Sequence, residues 1–239
     1  MNLEEFSKKI SSKMDYLNIA VNDKQIRNFY DYMQLLLEWN KKINLTAILD
    51  PDEIIVKHFI DSVSINKFIS KDSSVIDIGT GAGFPGIPIK IINENTSMTL
   101  LDSLNKRIIF LEEIIKSLDL KNIIATHGRA EDFGKNSEYR QKFDYATSRA
   151  VAPLNYLLEY MLPFVKLGGK CICMKGLDIE EELLRAENAI SKLGGEIEEI
   201  LKIKLPESDI ERNIMVIKKV KDTPSKYPRK AGMPKKSPL

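Results

Sequence analysis

Short apolar runs alternate with amphipathic segments from about residue 74 to residue 219. Runs rich in β-branched residues predict strands, whereas apolar residues spaced three and four apart predict helices. We predict strands at 74–78, 97–102, 122–126, 143–147, 170–174, 197–205 and 212–219, and helices at 85–93, 105–119, 156–165 and 178–193. Strands that alternate with helices indicate a parallel sheet covered by helices.

Both ends of this pattern differ from its middle. The last two predicted strands are joined by a connection too short for a crossover helix, so they are expected to pair antiparallel. At the amino end, apolar residues at helical spacing predict an amphipathic helix at about 23–40, with another helix before it. The pattern therefore predicts an α/β fold with a helical extension at 1–50, a domain at 51–220 that closes in a hairpin, and a tail at 221–239.

Composition places the chain among compact globular proteins. Its 239 residues are 43% hydrophobic and 29% charged, which suits one α/β domain with a small extension. No run approaches the roughly 20 apolar residues of a membrane span, and the start lacks the order of a signal peptide. Cys171 and Cys173 stand two apart on a predicted strand, so they are expected to belong to the core and not to bridge. We expect a cytoplasmic protein that needs no metal.

Positive charge is concentrated at the carboxyl end. From Lys218 onward there are eight Lys or Arg residues and one acid, Asp222, which gives this segment a net charge of +7 and the rest about −5. Such a tail suits a polyanionic partner, although a tail that only aids solubility has the same composition.

A glycine-rich turn follows the first predicted strand. Gly79, Gly81 and Gly83 can take positive φ and let a ligand approach the backbone. Together with Gly86, the turn also satisfies G-x-G-x-x-G, so an NAD-binding dehydrogenase is an alternative. Asp77 argues against it, because a carboxylate at the strand end would repel a pyrophosphate and suit a sulfonium. The arrangement D-x-G-x-G-x-G therefore favours S-adenosylmethionine.

Further candidate residues follow the later strands. Asp102 is placed to accept hydrogen bonds from ribose hydroxyls, or to cap the next helix. The backbone of Ala130 and the carboxylate of Glu131 could recognise an adenine ring, or belong to an ordinary polar loop. Arg149 could hold a carboxylate, a phosphate or a guanine edge, and Lys175 offers a second cation at the same edge or simply caps a strand.

The two histidines give no sign of a metal site. His58 and His127 lie 69 residues apart with no accompanying metal-ligand spacing, so a structural role is expected for both. No Ser/His/Asp order suggests nucleophilic catalysis either.

Sequence blocks along nearly the whole chain resemble one family, the bacterial 16S ribosomal RNA guanine-N7 methyltransferases, also called glucose-inhibited division protein B. The blocks are Trp39-Asn40, Asn44 to Ala47, Lys57 to Ser62, Asp77 to Pro88, Leu101 to Ser103 with Lys106-Arg107, Arg129 to Glu131, Arg149 to Leu154, and Tyr227 to Leu239. The resemblance implies a class I methyltransferase fold: a Rossmann-like, seven-stranded, mostly parallel sheet with a terminal antiparallel hairpin strand.

The resemblance also implies an activity. The chain is expected to bind S-adenosylmethionine through Gly79, Phe84, Asp102, Ala130, Glu131 and Arg149, and to methylate a guanine in the 530 loop of the small-subunit RNA. Guanine N7 carries a lone pair and no proton, so its attack on the methyl group needs no general base, and alignment and desolvation suffice. Arg149 is then expected to orient the cofactor carboxylate or the RNA backbone.

The activity implied by the resemblance also predicts that the tail binds RNA. Prolines 224, 228, 234 and 238 are expected to exclude a helix, so that basic residues follow RNA phosphates in an extended conformation. The predicted RNA-binding residues are Lys226, Arg229, Lys230, Lys235 and Lys236. The alternatives are a methyltransferase with another class of substrate, the dehydrogenase, and a ribosome-binding module without activity. A monomer bound to the small ribosomal subunit is expected.

Overall fold

Seven strands form one sheet within the residues that the computed structural model describes, 1–149, 152–176 and 179–239. The strands are β1 (Ser74–Ile78), β2 (Ser97–Asp102), β3 (Ile123–His127), β4 (Phe143–Arg149), β5 (Val165–Lys175), β6 (Gly195–Lys204) and β7 (Glu211–Lys219). Their order is β3-β2-β1-β4-β5-β7-β6. Strands β1 to β5 pair in parallel, whereas β7 pairs antiparallel with β5 and β6. The predicted fold with its closing hairpin is confirmed.

Helices cover both faces of the sheet. They are α1 (Leu3–Tyr16), α2 (Asp23–Ile43), α3 (Pro51–Ile54), α4 (Asp61–Val63), α5 (Gly86–Ile92), α6 (Asn105–Ser117), α7 (Ala130–Phe133), α8 (Leu154–Met161), α9 (Glu180–Leu193) and α10 (Met233–Lys236). A π-helical turn, Ile55–Ile60, joins α3 to α4, and 3₁₀ turns lie at Asn66–Phe68 and Leu162–Phe164. The predicted start of α9 at residue 178, and the Ala150-Val151 pair of one sequence block, lie outside the described residues.

The order of strands opens a crevice at one edge of the sheet. Strand β1 lies between β2 and β4. Strands β2 and β3 are added on one side of β1, and the strands from β4 onward are added on its other side, so the strand order reverses here. In open α/β sheets, ligands bind outside the carboxyl ends of the strands at such a switch point. The glycine-rich turn after β1 and the last residues of β2 and β4 therefore meet at one place.

The N-terminal helices share the core on one face of the sheet. Phe6, Phe29, Tyr32 and Phe59 are fully buried and belong to the same hydrophobic cluster as residues of α5 and α6. The start of α2 is fixed by a capping box between Asn22 and Gln25. The Gln25 side chain also donates to the Ile91 carbonyl of α5 at 3.0 Å. The extension is therefore packed against the glycine-rich turn and its helix. The boundary at residue 50 stays a prediction.

The second face of the sheet is covered by α8 and α9. Cys171 and Cys173 are fully buried in this cluster as free thiols, so the prediction of core cysteines is confirmed. Burial raises the pKa of Cys173 to about 12. No helix in the described part of the chain is long and apolar enough to cross a membrane.

The carboxyl tail departs from the predicted extended conformation. Tyr227 is 5% exposed, and Arg140 donates to the carbonyls of Thr223 and Tyr227 at 2.6 and 2.8 Å. The tail then forms the short helix α10, in which Pro234 occupies the first turn. A proline there needs no amide partner, so the expectation that prolines exclude a helix was wrong at this position.

Candidate functional site

The turn after β1 is held in a conformation that requires glycine. Gly79, Gly81 and Gly83 have φ values of 67°, 64° and 99°, as the sequence predicts. A Cβ atom on Gly83 would also lie 2.7 Å from the Tyr32 hydroxyl, which donates to the Ala82 carbonyl. On Gly81 the nearest atom to such a Cβ would be the Gly79 carbonyl oxygen, at 3.9 Å. The turn is thus backed by α2 at Gly83 and open to the crevice at Gly81.

Asp77 lies beneath this turn and not in the crevice. Its side chain is fully buried and accepts the Gly86 amide at 2.9 Å and the Thr147 hydroxyl at 3.2 Å. Burial raises the pKa of Asp77 to about 6, against the hydrogen bonds that favour its charged form. The expected direct contact with a cationic cofactor is therefore not supported, because the carboxylate points toward the amino end of α5.

Asp102 connects the turn to the next helix. Its Oδ2 accepts the Gly81 amide at 2.9 Å and an Arg107 N–H at 3.1 Å, and its Oδ1 accepts the Leu104 amide at 2.9 Å. Leu104 occupies the N-cap position of α6, so Asp102 is not the capping residue. Because a carboxylate offers about four acceptor sites, Asp102 can still accept a ribose hydroxyl.

Two cavities adjoin at the carboxyl edge of the sheet. The larger, about 440 Å³, is lined by Leu45, Thr46, His58, Gly79, Thr80, Gly81, Ala82, Phe84, Asp102, Ser103, Arg107 and Arg149. The smaller, about 270 Å³, is lined by Ile78, Gly79, Leu101, Asp102, Ser103, Gly128, Arg129, Ala130, Glu131 and Tyr160. Since Gly79, Asp102 and Ser103 belong to both, the two cavities form one elongated site. It brings together the predicted residues Gly79, Gly81, Phe84, Asp102, Ala130, Glu131 and Arg149.

Arg149, the last residue of β4, is anchored by the N-terminal part of the chain. Its Nη1 donates to the Lys57 carbonyl at 2.8 Å and to Asp61 Oδ2 at 3.0 Å, and its Nη2 lies 3.2 Å from His58 Nδ1. Asp61 is 1% exposed and also accepts Arg212 of β7 at 3.1 Å. One buried carboxylate therefore holds both Arg149, which lines the larger cavity, and Arg212 of β7.

The rings of Phe84 and His58 contribute to the lining of this cavity. Phe84 stacks on His58 with ring centroids 4.5 Å apart, and on Tyr32 at 5.4 Å. The guanidinium carbon of Arg149 lies 4.8 Å from the Phe84 centroid. A cation over an aromatic face is attracted by the ring quadrupole. Phe84 is thus held between the N-terminal extension and β4, and its place in the turn fixes the shape of the site.

His58 is a neutral imidazole in this setting. Burial and the neighbouring positive charge of Arg149 lower the pKa of His58 to about 3. Its Nε2 lies 2.8 Å from the Thr46 hydroxyl oxygen. The sequence predicted only a structural role for His58, but the structure places it in the wall of the larger cavity.

Acidification is expected to destabilise the protein through His58. An unfolded chain protonates this imidazole below about pH 6.5, whereas the folded chain resists until about pH 3, so stability is lost as the pH falls through this window. Between pH 7 and pH 5, this effect of His58 lowers the free energy of unfolding by about 2 kcal/mol. Over the same interval Asp77 raises the free energy of unfolding as the pH falls, because its pKa is raised in the folded state.

The His58 contribution is therefore measured as a difference between variants. Urea unfolding of the wild type and of His58→Gln at pH 7 and pH 5 should show a smaller loss on acidification in the variant. The control is His127→Gln, which removes an exposed histidine, and its loss on acidification is compared with that of His58→Gln. Equal losses in wild type and His58→Gln would contradict the prediction.

Glu131 lies where the smaller cavity meets the tail. Its side chain accepts the backbone amide of Gly232 at 3.0 Å, and the residue is 8% exposed. Tyr160 of α8 lines the same cavity, and burial raises its pKa to about 12. The docked tail therefore borders the place where the sequence predicts adenine recognition.

Lys175 and Arg229 are engaged in ion pairs within the protein. Lys175 donates to the Ala152 carbonyl and to Glu182 at 2.6 Å, so it holds the start of α8 to α9 and lies outside the described lining of both cavities. Arg229 makes a bidentate pair with the fully buried Glu159, with contacts of 2.6 to 3.1 Å. A contact of Lys175 with reacting groups is not supported, and Arg229 serves to dock the tail.

The remaining predicted RNA-binding residues lie on the surface. Lys226, Lys230, Lys235 and Lys236 are all exposed. Their proposed contact with RNA stays a prediction. In the described residues, no group of three or more His, Cys, Asp or Glu side chains could hold a metal ion.

Several residues at or near the site were not predicted from the sequence. Thr46, Asp61 and Tyr32 come from the N-terminal 63 residues and reach the site through long-range packing. The sequence blocks around Asn44 to Ala47 and Lys57 to Ser62 contain two of them and were the available signal. They suggested family resemblance without showing that these residues line the cavity.

Comparison with known proteins agrees with this geometry. Residues 25–215 match the family model described as rRNA small subunit methyltransferase G. The chain is 55% identical over 225 residues to a ribosomal RNA small subunit methyltransferase G of Alkaliphilus oremlandii, covering 93% of this chain and 94% of that protein. It is 53% identical over 237 residues to the protein of the same name from Clostridium botulinum strain Loch Maree, covering 98% and 99%.

Solved structures support the fold alone. A SAM-dependent methyltransferase from Aquifex aeolicus superposes with a TM-score of 0.54 at 17% identity, covering 76% of this chain and 97% of that one. Methanococcus jannaschii TYW2 in complex with AdoMet superposes with a TM-score of 0.52 at 19% identity, covering 66% and 76%. With the full-length relatives and the family match, these findings show that the chain belongs to the rRNA small subunit methyltransferase G family.

Proposed function

We propose that this protein transfers the methyl group of S-adenosylmethionine to N7 of a guanine in the 530 loop of 16S ribosomal RNA. The observation that carries the proposal is the elongated site at the switch point of a methyltransferase sheet, in a chain that matches small-subunit rRNA methyltransferases over nearly its full length. The substrate is the RNA of the small ribosomal subunit, and we propose that the enzyme acts in the cytoplasm as a monomer.

The site fits the cofactor. Gly81 faces open space where a side chain would project, and its amide is fixed by Asp102. Asp102 borders both cavities, so it is placed to bind a ribose between an adenine in the smaller cavity and a methionine moiety in the larger one. Ala130 and Glu131 would then contact the adenine. The bound cofactor supplies an electrophilic methyl group on a positive sulfur.

The residues of the chain act by orientation. N7 of guanine needs no deprotonation. The larger cavity agrees with this, because its imidazole, His58, is a weak base with a pKa lowered to about 3, and its carboxylate, Asp102, already accepts hydrogen bonds from Gly81 and Arg107. Arg149 keeps donor capacity beyond its bonds to Lys57, Asp61 and His58, so it can orient the cofactor carboxylate or an RNA phosphate. Lys175 contributes indirectly, by linking Ala152, before the start of α8, to Glu182 of α9.

Label mapping tests the proposal. The protein is incubated with methyl-labelled S-adenosylmethionine and small subunits that lack the modification, and the label is located on the RNA. Label at guanine N7 in the 530 loop is expected. Transfer to another molecule would favour a methyltransferase with a different substrate class, and cofactor binding without transfer would favour a ribosome-binding module. Tight binding of NAD in place of S-adenosylmethionine would favour the dehydrogenase.

A further inference from the structure

A chain of hydrogen bonds leads from Arg149 to a hydroxyl group in the wall of the larger cavity. Arg149 Nη2 contacts His58 Nδ1 at 3.2 Å, and His58 Nε2 contacts the Thr46 hydroxyl oxygen at 2.8 Å. Both Thr46 and His58 line the cavity. The positions of the protons along this chain determine whether the Thr46 hydroxyl donates a hydrogen bond to a ligand or accepts one.

The guanidinium sets these positions. Arginine has no acceptor, so Nδ1 of His58 must accept the hydrogen bond from Arg149. A neutral imidazole then carries its proton on Nε2 and donates it to Thr46 Oγ1. The strongly lowered pKa of His58 agrees with a neutral ring at pH 7. Thr46 therefore acts as the acceptor in its contact with His58.

A second donor occupies the same oxygen. The amide of Ile48 donates to Thr46 Oγ1 at 3.0 Å. A hydroxyl has two acceptor positions and one proton, so both acceptor positions are filled and only the proton remains. Within the described parts of the chain, the hydrogen-bond partners of this hydroxyl are His58 and Ile48, and both are donors. The Thr46 O–H group is thus a donor.

The backbone around Thr46 is also fixed. Asn40 of α2 accepts the Thr46 amide at 2.8 Å and donates to the Thr46 carbonyl at 2.9 Å. Together with His58 and Ile48, these bonds fix both the backbone and the hydroxyl of Thr46. Such a preorganised polar group is typical of residues that distinguish ligands.

We propose that the Thr46 hydroxyl donates a hydrogen bond to O6 of the target guanine and makes Thr46 a specificity-determining residue. This inference rests on the proposed function. Guanine presents the acceptors O6 and N7 side by side, whereas adenine presents an amino donor at position 6. A donor directed at O6 selects guanine and leaves the N7 lone pair free to attack the methyl group. Adenine would bring two donors together and is disfavoured.

The experiment pairs two variants with two purines. Thr46→Val removes the hydroxyl at nearly constant shape, and Thr46→Ser restores it. Small subunits are reconstituted with RNA that carries either guanine or 2-aminopurine at the target position, and methyl transfer is measured. 2-Aminopurine lacks O6 and the N1 proton of guanine and keeps N7. The effect of Thr46→Val on guanine relative to its effect on 2-aminopurine therefore reports on the proposed hydrogen bond.

The loss of rate is expected to depend on O6. Thr46→Val should lower transfer to guanine about tenfold, and should change transfer to 2-aminopurine less than about twofold. Thr46→Ser should recover most of the lost rate on guanine. The dissociation constant of S-adenosylmethionine, measured by calorimetry, should stay within about twofold of wild type in Thr46→Val, which also shows that the variant is folded.

Three results would overturn the inference. Equal losses on both purines, or none on guanine, would mean that the hydroxyl does not bind O6. A roughly tenfold weaker affinity for S-adenosylmethionine in Thr46→Val would assign the hydroxyl to the cofactor. Failure of the proposed function is distinguishable from these, because the wild-type protein would then place no methyl group on guanine N7 at all.

Discussion

Replacing Asp61 with alanine is expected to lower the free energy of unfolding by about 3 kcal/mol and to reduce methyl transfer about 100-fold. Asp61 is 1% exposed and bonds both Arg149, at 3.0 Å, and Arg212, at 3.1 Å. Removing it leaves two guanidinium groups without their shared carboxylate, one of them in the wall of the larger cavity. Misplacement of Arg149 then disturbs the alignment on which this chemistry depends.

Urea unfolding and a methyl-transfer assay together measure this effect. The matched control is Asp31→Ala, which removes an aspartate that pairs with Arg27 on the surface of α2, where both side chains are exposed. Surface pairs contribute little, so this variant should lose less than about 1 kcal/mol and keep wild-type transfer. A loss in Asp61→Ala no larger than in the control would show that the buried carboxylate does not hold the site together.

The sequence was most informative where structure is local. The strands at 74–78 and 97–102 were predicted with their observed bounds, because each is a short apolar run flanked by turn residues. The start of β5 was missed by five residues. Lys166 is charged, Leu167 is 61% exposed, and Gly168 and Gly169 have no side chains to pack, although their backbone is part of the strand. Exposed strand residues of this kind do not form the buried apolar run that predicts a strand.

The candidate site was predicted only in part, and the division has a physical cause. Gly79 and Gly81 lie in the turn after β1 and Asp102 ends β2, so the topology alone brings them to one edge. Asp61 and His58 reach Arg149 across 88 and 91 residues. Contacts over such separations depend on how the N-terminal helices pack on the sheet, which no local pattern encodes.

The charge of a residue did not predict which groups its side chain contacts. Asp77 was expected to face the cofactor, but the Gly86 amide and the Thr147 hydroxyl turn its carboxylate inward. Arg229 was expected to face RNA, but the buried carboxylate of Glu159 binds it. A sequence reveals that a charge is present and not which partner satisfies it. The structure assigns both of these charges to partners within the protein and leaves the tail lysines exposed.

Replacing Lys226, Lys230, Lys235 and Lys236 with glutamine is expected to weaken binding to the small-subunit RNA and to flatten its dependence on salt. All four side chains are exposed, and the tail that carries them is docked beside the smaller cavity by Arg229 and Glu131. Each lysine that contacts a phosphate of single-stranded RNA contributes about 0.7 to the slope of log affinity against log salt. Four such contacts predict a decrease in slope of about 3.

The control must change the same charge elsewhere. Lys170, Lys192, Lys202 and Lys204 lie on β5, α9 and the edge strand β6, and their replacement with glutamine removes an equal number of positive charges. Affinity is measured over a series of salt concentrations for the wild type and both variants. Because the bidentate pair of Arg229 with Glu159 stays intact in both, the tail should remain docked. The tail lysines do not contact RNA if both variants show the same slope.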